Sequence, residues 1–362
     1  MIGGHDYRKR AAAIRTWLGK EDLDALITAE CAQLQYLIGY TGSNGLLIMG
    51  ESRADFLTDG RYREQAAREV KGARIHVVSG DLAGHLGRIS WLANSRPKLA
   101  YCPQQVSEDR IRILRSALPK ALFVPVDDPV APLRQIKDAA ELALIRRAAA
   151  ITDAAFAAVL PVIRPGVRER DVAAELEYTM MKAGSEKTSF ETIVASGPRA
   201  ALPHGRASSR RIRAGDFVTL DFGATYKGYV SDLTRTVVVG RATARQKAVY
   251  NLVARAQRAA VARVRSGVVA SKLDRVARGI IEKSGHGRRF DHGLGHGIGL
   301  VVHEGPAVNA KSNTVLKPGM VVTIEPGVYF PGWGGVRIED DVLVQARSAD
   351  VLTSADRTLL EL

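Results

Sequence analysis

Cysteine is nearly absent: Cys31 and Cys102 are the two thiols in 362 residues. They cannot frame a disulfide-held fold, and they form no metal-type pair, so a chain of the reducing cytoplasm is expected. No apolar run approaches the roughly 18 residues of a membrane span, so no membrane association is expected. The first residues, MIGGHDYRKRAAAIRTWLGKEDLDALIT, carry charges but no apolar h-region, which speaks against a secretory signal. Any surplus of acid is also lacking, since the formal charge is +14. A basic surface can hold nucleic acid. Here, however, the arginines are spread over many helices, with one modest cluster in SSRRIR (208–213). Solvated helix faces account for that spread, and no nucleic-acid partner is expected. Nucleotide-loop signatures are missing too. After Gly295 and Gly297 a G-x-G-x-x-G pattern needs glycine where Leu300 stands, and from Gly293 it fails at Ile298. No Walker A sequence occurs.

What is present fits two domains. The chain is 46% hydrophobic and 25% charged, which is globular, and too long for one ordinary core. From residue 1 to about 130, short apolar runs alternate with amphipathic stretches. Strands are predicted at 23–28, 45–50, 54–59, 74–79, 98–102 and 121–126, and helices near 61–70, 81–93 and 107–117. This pattern predicts a small α/β domain, residues 1–130. The proline-rich segment VPVDDPVAPLRQIKD (124–138) marks its end.

Residues 131–362 read as a doubled unit. Asp138 and Glu141 form a capping box that opens a long helix, with Pro161 near its end. A turn and a second helix follow over 164–184. The plan then repeats, with a helix over 243–264 and a turn plus helix over 265–285. Pro165-Gly166-Val167 matches Ser266-Gly267-Val268 at an offset of 101. GDFVTLDFG (215–223) matches GMVVTIEPG (319–327) at an offset of 104. Two helix–helix–hairpin halves meeting at a pseudo-twofold axis are the expected solution, an α+β fold.

Each hairpin carries two acids: Asp221 and Asp232 in 217–240, Glu325 and Glu339 in 321–344. Carboxylates converging in an apolar core repel, and one left ionised and unpaired costs several kcal/mol. Two divalent ions ~3.5–4 Å apart would neutralise such a cluster and generate a nucleophile from water. FDHGLGHGIGLVVHEGP (290–306) offers His292, His296 and His303, with alternating glycines that let the backbone pass close to a ligand.

These motifs closely resemble the pita-bread metallopeptidases, which include methionine aminopeptidase, Xaa-Pro aminopeptidase and prolidase. The resemblance covers the whole chain and implies a creatinase-like N-terminal domain before a pita-bread catalytic domain. It places the five metal ligands on Asp221, Asp232, His296, Glu325 and Glu339. It implies two divalent metal ions, manganese foremost, with cobalt, zinc or iron as alternatives. His204, His292 and His303 would steady the scissile carbonyl and the tetrahedral intermediate. A structural role for His204 and His292 stays open beside this. Arg337 stands two residues before Glu339, so on a strand both share a face, and Arg337 can support a ligand carboxylate. Glu325 would also shuttle a proton to the leaving imino nitrogen.

The implied activity is hydrolysis of the Xaa–Pro bond at a peptide N-terminus, by an Xaa-Pro aminopeptidase acting on peptides with proline second. A prolidase limited to Xaa–Pro dipeptides is the alternative, since the chemistry is shared. Methionine aminopeptidase does not usually carry the first domain, and creatinase lacks the metal acids. A non-catalytic binding protein on this scaffold is the reading from another class, and the retained ligands speak against it. A homodimer is expected from the same resemblance.

Overall fold

The computed structural model describes residues 4–93 and 95–362. The chain divides into two compact units, one spanning Gly4–Arg134 and the other formed by Gln135–Leu362. Among the described residues no helix is long and apolar enough to cross a membrane.

The first unit runs α1 (Tyr7–Lys20), β1 (Ala25–Thr28), α2 (Cys31–Ile38), β2 (Leu46–Gly50), β3 (Ala54–Asp59), α3 (Arg63–Glu69), β4 (Arg74–Val78), α4 (Ser90–Ala93), β5 (Lys98–Tyr101), α5 (Glu108–Ala117) and β6 (Leu122–Pro125). Its six strands form one sheet in the order β4-β3-β2-β1-β5-β6. β1, β2 and β3 pair antiparallel in turn, while the outer pairings are parallel. The predicted strands are present. Helices α1 and α2 are additions, although buried Arg10, Ile14 and Leu18 repeat every four residues along α1. The helix predicted over 81–93 is instead a 3-10 segment, Ala83–Arg88, followed by the four-residue α4. Gly84 and Gly87 weaken a regular helix there.

The second unit opens after α6 (Ala131–Gln135) with α7 (Ala139–Val159). The capping box closes at both ends: the Glu141 amide donates to Asp138 at 2.8 Å, and the Asp138 amide to Glu141 at 2.9 Å. Then come α8 (Glu169–Lys182), β7 (Lys187–Thr188), β8 (Ile193–Ser196), β9 (Phe217–Phe222), β10 (Ala224–Tyr226), β11 (Tyr229–Val230) and β12 (Leu233–Val238). The repeat is α9 (Ala244–Val261), α10 (Ala270–Lys283), β13 (Gly295–Gly297), β14 (Glu304–Val308), β15 (Val321–Ile324), β16 (Gly327–Phe330), β17 (Gly334–Arg337), β18 (Asp340–Val344) and β19 (Ala349–Val351).

The internal repeat is visible in the backbone bonding. Gly166 and Gly267 both adopt positive φ, 92° and 84°, which glycine tolerates without strain. The Gly166 amide then donates to the Ile212 carbonyl, and the Gly267 amide to Leu316. Each half packs its helices on its own sheet, β12-β9-β8 in one and β14-β13-β15-β18-β19 in the other. The third strand, β8, is an addition to the predicted hairpin. The halves are stitched along β12: the Glu339 amide donates to the Thr234 carbonyl at 3.1 Å, and Thr236 Oγ1 to the Arg337 carbonyl at 3.0 Å.

Candidate metal centre

The stitched edge is where the acids gather. Asp221 is on β9, opposite Thr234 of β12. Asp232 lies between β11 and β12, Glu325 directly follows β15, and Glu339 sits in the step between β17 and β18. Glu339 is therefore off the regular strand on which the spacing to Arg337 had placed it. His296 is the middle residue of β13. β13 can lie this close to β15 because residue 295 is glycine: a Cβ there would stand 2.0 Å from the Thr323 carbonyl oxygen. The His296 amide donates to Thr323 Oγ1 at 3.1 Å, and Thr323 Oγ1 donates to Glu325 at 3.3 Å.

One cavity of about 530 Å³ is lined by Asp221, Asp232, His296, Glu325 and Glu339 together with His204, His292, His303 and Arg337. All nine residues singled out in the sequence face the same space.

The electrostatics call for a cation. Asp232 is 4% exposed and Glu339 2%. Glu339 Oε2 accepts from Thr234 Oγ1 at 2.6 Å, but Asp232 Oδ1 and Glu339 Oε1 are buried with no protein donor. An orphaned buried carboxylate oxygen forfeits the solvation it had in water. Burial and mutual repulsion accordingly push both carboxyls well above the usual carboxylate range. Burial lifts Glu325 to about 8. Burial also raises Asp221, against the opposing pull of Arg337. His296 moves the other way, down to about 4, because burial disfavours the imidazolium. A neutral imidazole is the ligand form. Ligand atoms of Asp232, His296 and Glu339 all lie within 4.8 Å of one another. His296 Nε2 is 3.7 Å from Asp232 Oδ2 and 3.4 Å from Glu325 Oε1. Oxygen donors with one imidazole and two orphaned oxygens suit a divalent metal ion.

Around the acids runs a chain of hydrogen bonds. Buried Arg337 donates through Nη2 to Asp221 Oδ2, through Nε to Thr234 Oγ1 at 3.0 Å, and through Nη1 to the Tyr329 hydroxyl at 2.9 Å. Tyr329 lies 3.0 Å from His292 Nε2, and His292 Nδ1 is 2.8 Å from the Gly293 carbonyl. With Nδ1 donating to that carbonyl, Nε2 accepts the Tyr329 proton. Burial, with Arg337 nearby, pushes His292 down to about 4 and so keeps it neutral. Burial holds the Tyr329 hydroxyl up at about 12. His292 is thus engaged with Tyr329. The His204 and His303 side chains, by contrast, carry no hydrogen bond among the described residues, and the His303 ring packs edge-on to His296 at 4.4 Å.

Sequence reasoning missed Tyr329, Thr234, Thr323 and Asp341, whose Oδ2 accepts the Asp232 amide at 3.0 Å. Thr323 stands two residues before Glu325 on one strand face, so period-two alternation carried a signal for it. Tyr329 had none.

The model of metallopeptidase family M24 matches residues 143–346, and that of the creatinase/prolidase N-terminal domain matches residues 10–136. The chain is 49% identical over 355 residues to an Xaa-Pro dipeptidase of Pyrococcus furiosus, covering 98% of this chain and 100% of that protein. Among solved structures, an Xaa-Pro dipeptidase from Bacillus anthracis superposes with a TM-score of 0.95 at 40% identity, covering 99% of this chain and 100% of that one. An X-Pro aminopeptidase from Thermotoga maritima gives 0.89 at 37%, with coverage of 94% and 98%.

Proposed function

The chain belongs to metallopeptidase family M24, and from that premise we propose that it is a two-metal prolidase, hydrolysing Xaa–Pro dipeptides. Removal of an N-terminal residue from longer peptides, the activity read first from the sequence, becomes the second reading. The observation that carries the proposal is the convergence of five potential ligands and three histidines on one cavity. In this reading residues 131–362 form the catalytic domain. Asp221, Asp232, His296, Glu325 and Glu339 hold the ions, manganese foremost, with cobalt, zinc or iron as alternatives. When bound, such ions supply Lewis acidity and lower the pKa of a water from ~15.7 towards ~7.

The remaining work falls to side chains. Arg337 fixes the Asp221 carboxylate through its guanidinium. His204 and His303, whose side chains make no hydrogen bond among the described residues, donate hydrogen bonds to the carbonyl oxygen as it gains charge. His292, turned to Tyr329, keeps Arg337 and Tyr329 in place. Glu325 takes the proton given up by the attacking water and passes it to the proline nitrogen as the C–N bond breaks.

A preference for dipeptides is supported by the P. furiosus and B. anthracis relatives, both Xaa-Pro dipeptidases. It is also supported by Arg206 at the cavity rim. Arg206 pairs with Ile193, and Ile193 with Asp221, so Arg206 is two ladder steps from Asp221 on the same face. Two steps span roughly 10 Å. A dipeptide extends over about 7 Å. Arg206 Nε now meets Glu191 at 2.8 Å in an exposed pair, which a substrate carboxylate can displace. The test is metal analysis combined with hydrolysis of Gly-Pro against Gly-Pro-Pro. Preferential Gly-Pro cleavage with metal bound is expected, and equal rates would move the assignment to an aminopeptidase. The homodimer expected from the resemblance and the cytoplasmic location expected from the scarcity of cysteine belong to this proposal, with light scattering and cell fractionation as their checks.

A further inference from the structure

The first unit carries a cavity of about 430 Å³ lined by Arg53, Asp55, Arg74, His76, Arg88 and Trp91. The register of the sheet builds it. Arg74 opens the edge strand β4 directly opposite Asp55 of β3, and His76 opposite Leu57. Period-two alternation then puts Arg53, Asp55, Arg74 and His76 on one face. Arg88 and Trp91 come from the segment that packs over that face.

The one carboxylate among the described residues lining this cavity is already committed. Asp55 Oδ1 is 2.7 Å from His76 Nε2, and its Oδ2 accepts from Trp91 Nε1 at 2.8 Å. Asp55 is 5% exposed, so it works as a buried clamp that orients the imidazole and the indole. The three guanidinium groups are exposed, and none makes a side-chain hydrogen bond or ion pair among the described residues. Arg53 lies 5.7 Å from the Trp91 ring centroid, a cation over an aromatic face. In the adjoining cavity Arg53 is joined by Arg96, with Glu51 and Asp24 as the acids there.

Some surface arginines pair with nearby acids, as Arg110 does with Asp81 and Arg146 with Asp350, while others, such as Arg115 and Arg275, make no ion pair among the described residues and stand singly on helix faces. Arg53, Arg74 and Arg88 differ in lining one concave space together. Planar forks of this kind match phosphate oxygens two at a time. The volume is in the range of small-molecule sites. We propose that the first unit binds a diphosphate group, free or carried on a small molecule, between Arg53, Arg74 and Arg88 with Trp91 as its wall. This site shares no lining residue with the metal centre and does not depend on the peptidase reading.

The experiment is calorimetric titration of the metal-free full-length chain with inorganic pyrophosphate and, separately, with ADP at about 0.15 M salt. Removing metal matters because diphosphates chelate it. Saturable one-site binding is expected, weakened at least tenfold in R74A/R88A and unchanged in D232N. Single variants R53A and R88A cover the case in which the double variant does not fold. ADP binding tighter than pyrophosphate would assign the diphosphate to a carrier with a ring against Trp91. Equal affinities would assign recognition to the diphosphate alone. No saturation with either ligand, or binding lost in D232N and retained in R74A/R88A, overturns the proposal.

Discussion

Glu339 and Asp340 are chain neighbours and both are buried, at 2% and 0% exposure, yet they live in opposite electrostatic worlds. Asp340 is saturated. Its oxygens accept from Arg235 Nη2, Thr353 Oγ1, Arg357 Nε and Nη2, and Gln257 Nε2, at 2.6–3.0 Å. Glu339 turns the other way, keeps one donor in Thr234, and leaves Oε1 with none. Burial alone therefore does not mark a ligand. A buried acid whose lone pairs the protein fills is structural; one whose lone pairs are left over is waiting for a cation.

The largest effects should come from exchanging these two environments. Asp232→Asn is expected to lose bound metal and Gly-Pro hydrolysis together, read by elemental analysis and a proline assay. Its metal-free form should melt no lower than the metal-free parent, since one repelling charge is gone. Full turnover by a variant without metal would refute the site. Asp340→Ala should do the reverse. It leaves Arg235, 1% exposed and otherwise bonded to backbone carbonyls, without its carboxylate partner, and should cost about 3–5 kcal/mol in denaturant unfolding. The fraction that stays folded should still bind metal.

A smaller effect is expected one layer out. Arg337→Gln should weaken metal affinity by about 10–100-fold, because it removes the donor that holds Asp221. Titration with manganese would measure it, and an unchanged affinity would mean that Asp221 needs no such support.

The metal-free chain should also show a characteristic pH response. Glu325 in the folded state holds its proton up to about 8, far above the range of an unfolded glutamate. The native state thus binds more protons than the unfolded one across that window, so stability present at lower pH is lost as pH rises towards 8. His292 and His296 have the opposite sign. Depressed to about 4, they remove stability as pH falls from about 6.5 towards 4. Above about 6.5 only the carboxylate effect remains. Melting temperature should therefore fall between pH 6.5 and 8 without metal and recover when manganese is added. A flat profile would show that the acids are not crowded in solution.

The smallest change is Tyr329→Phe. It frees His292 Nε2 and removes one Arg337 acceptor, with an expected loss of a few-fold in kcat and intact metal binding.

Much of the framework was readable in the chain itself. The doubled half, its capping box and its turn glycines are local features, governed by neighbours within a few residues. The same turn chemistry at offsets of 101 and 104 therefore had to rebuild the same backbone twice. The acids and histidines could be named because buried charge in an apolar strand is costly wherever it occurs. Which acid is left unpaired is not a local property. Asp340 is satisfied by Arg235, Gln257, Thr353 and Arg357, while Glu339 one residue earlier is not, and no window of sequence around either shows it. The bond from Arg337 to Asp221 likewise awaits the meeting of the two halves, and the bonds of Tyr329 with Arg337 and His292 await the closing of the second half. Composition and periodicity decide what must be buried. Only the closed fold decides which donors and acceptors meet, because hydrogen bonds depend on ångström distances between residues that the sequence separates by as few as 8 and as many as 116 positions.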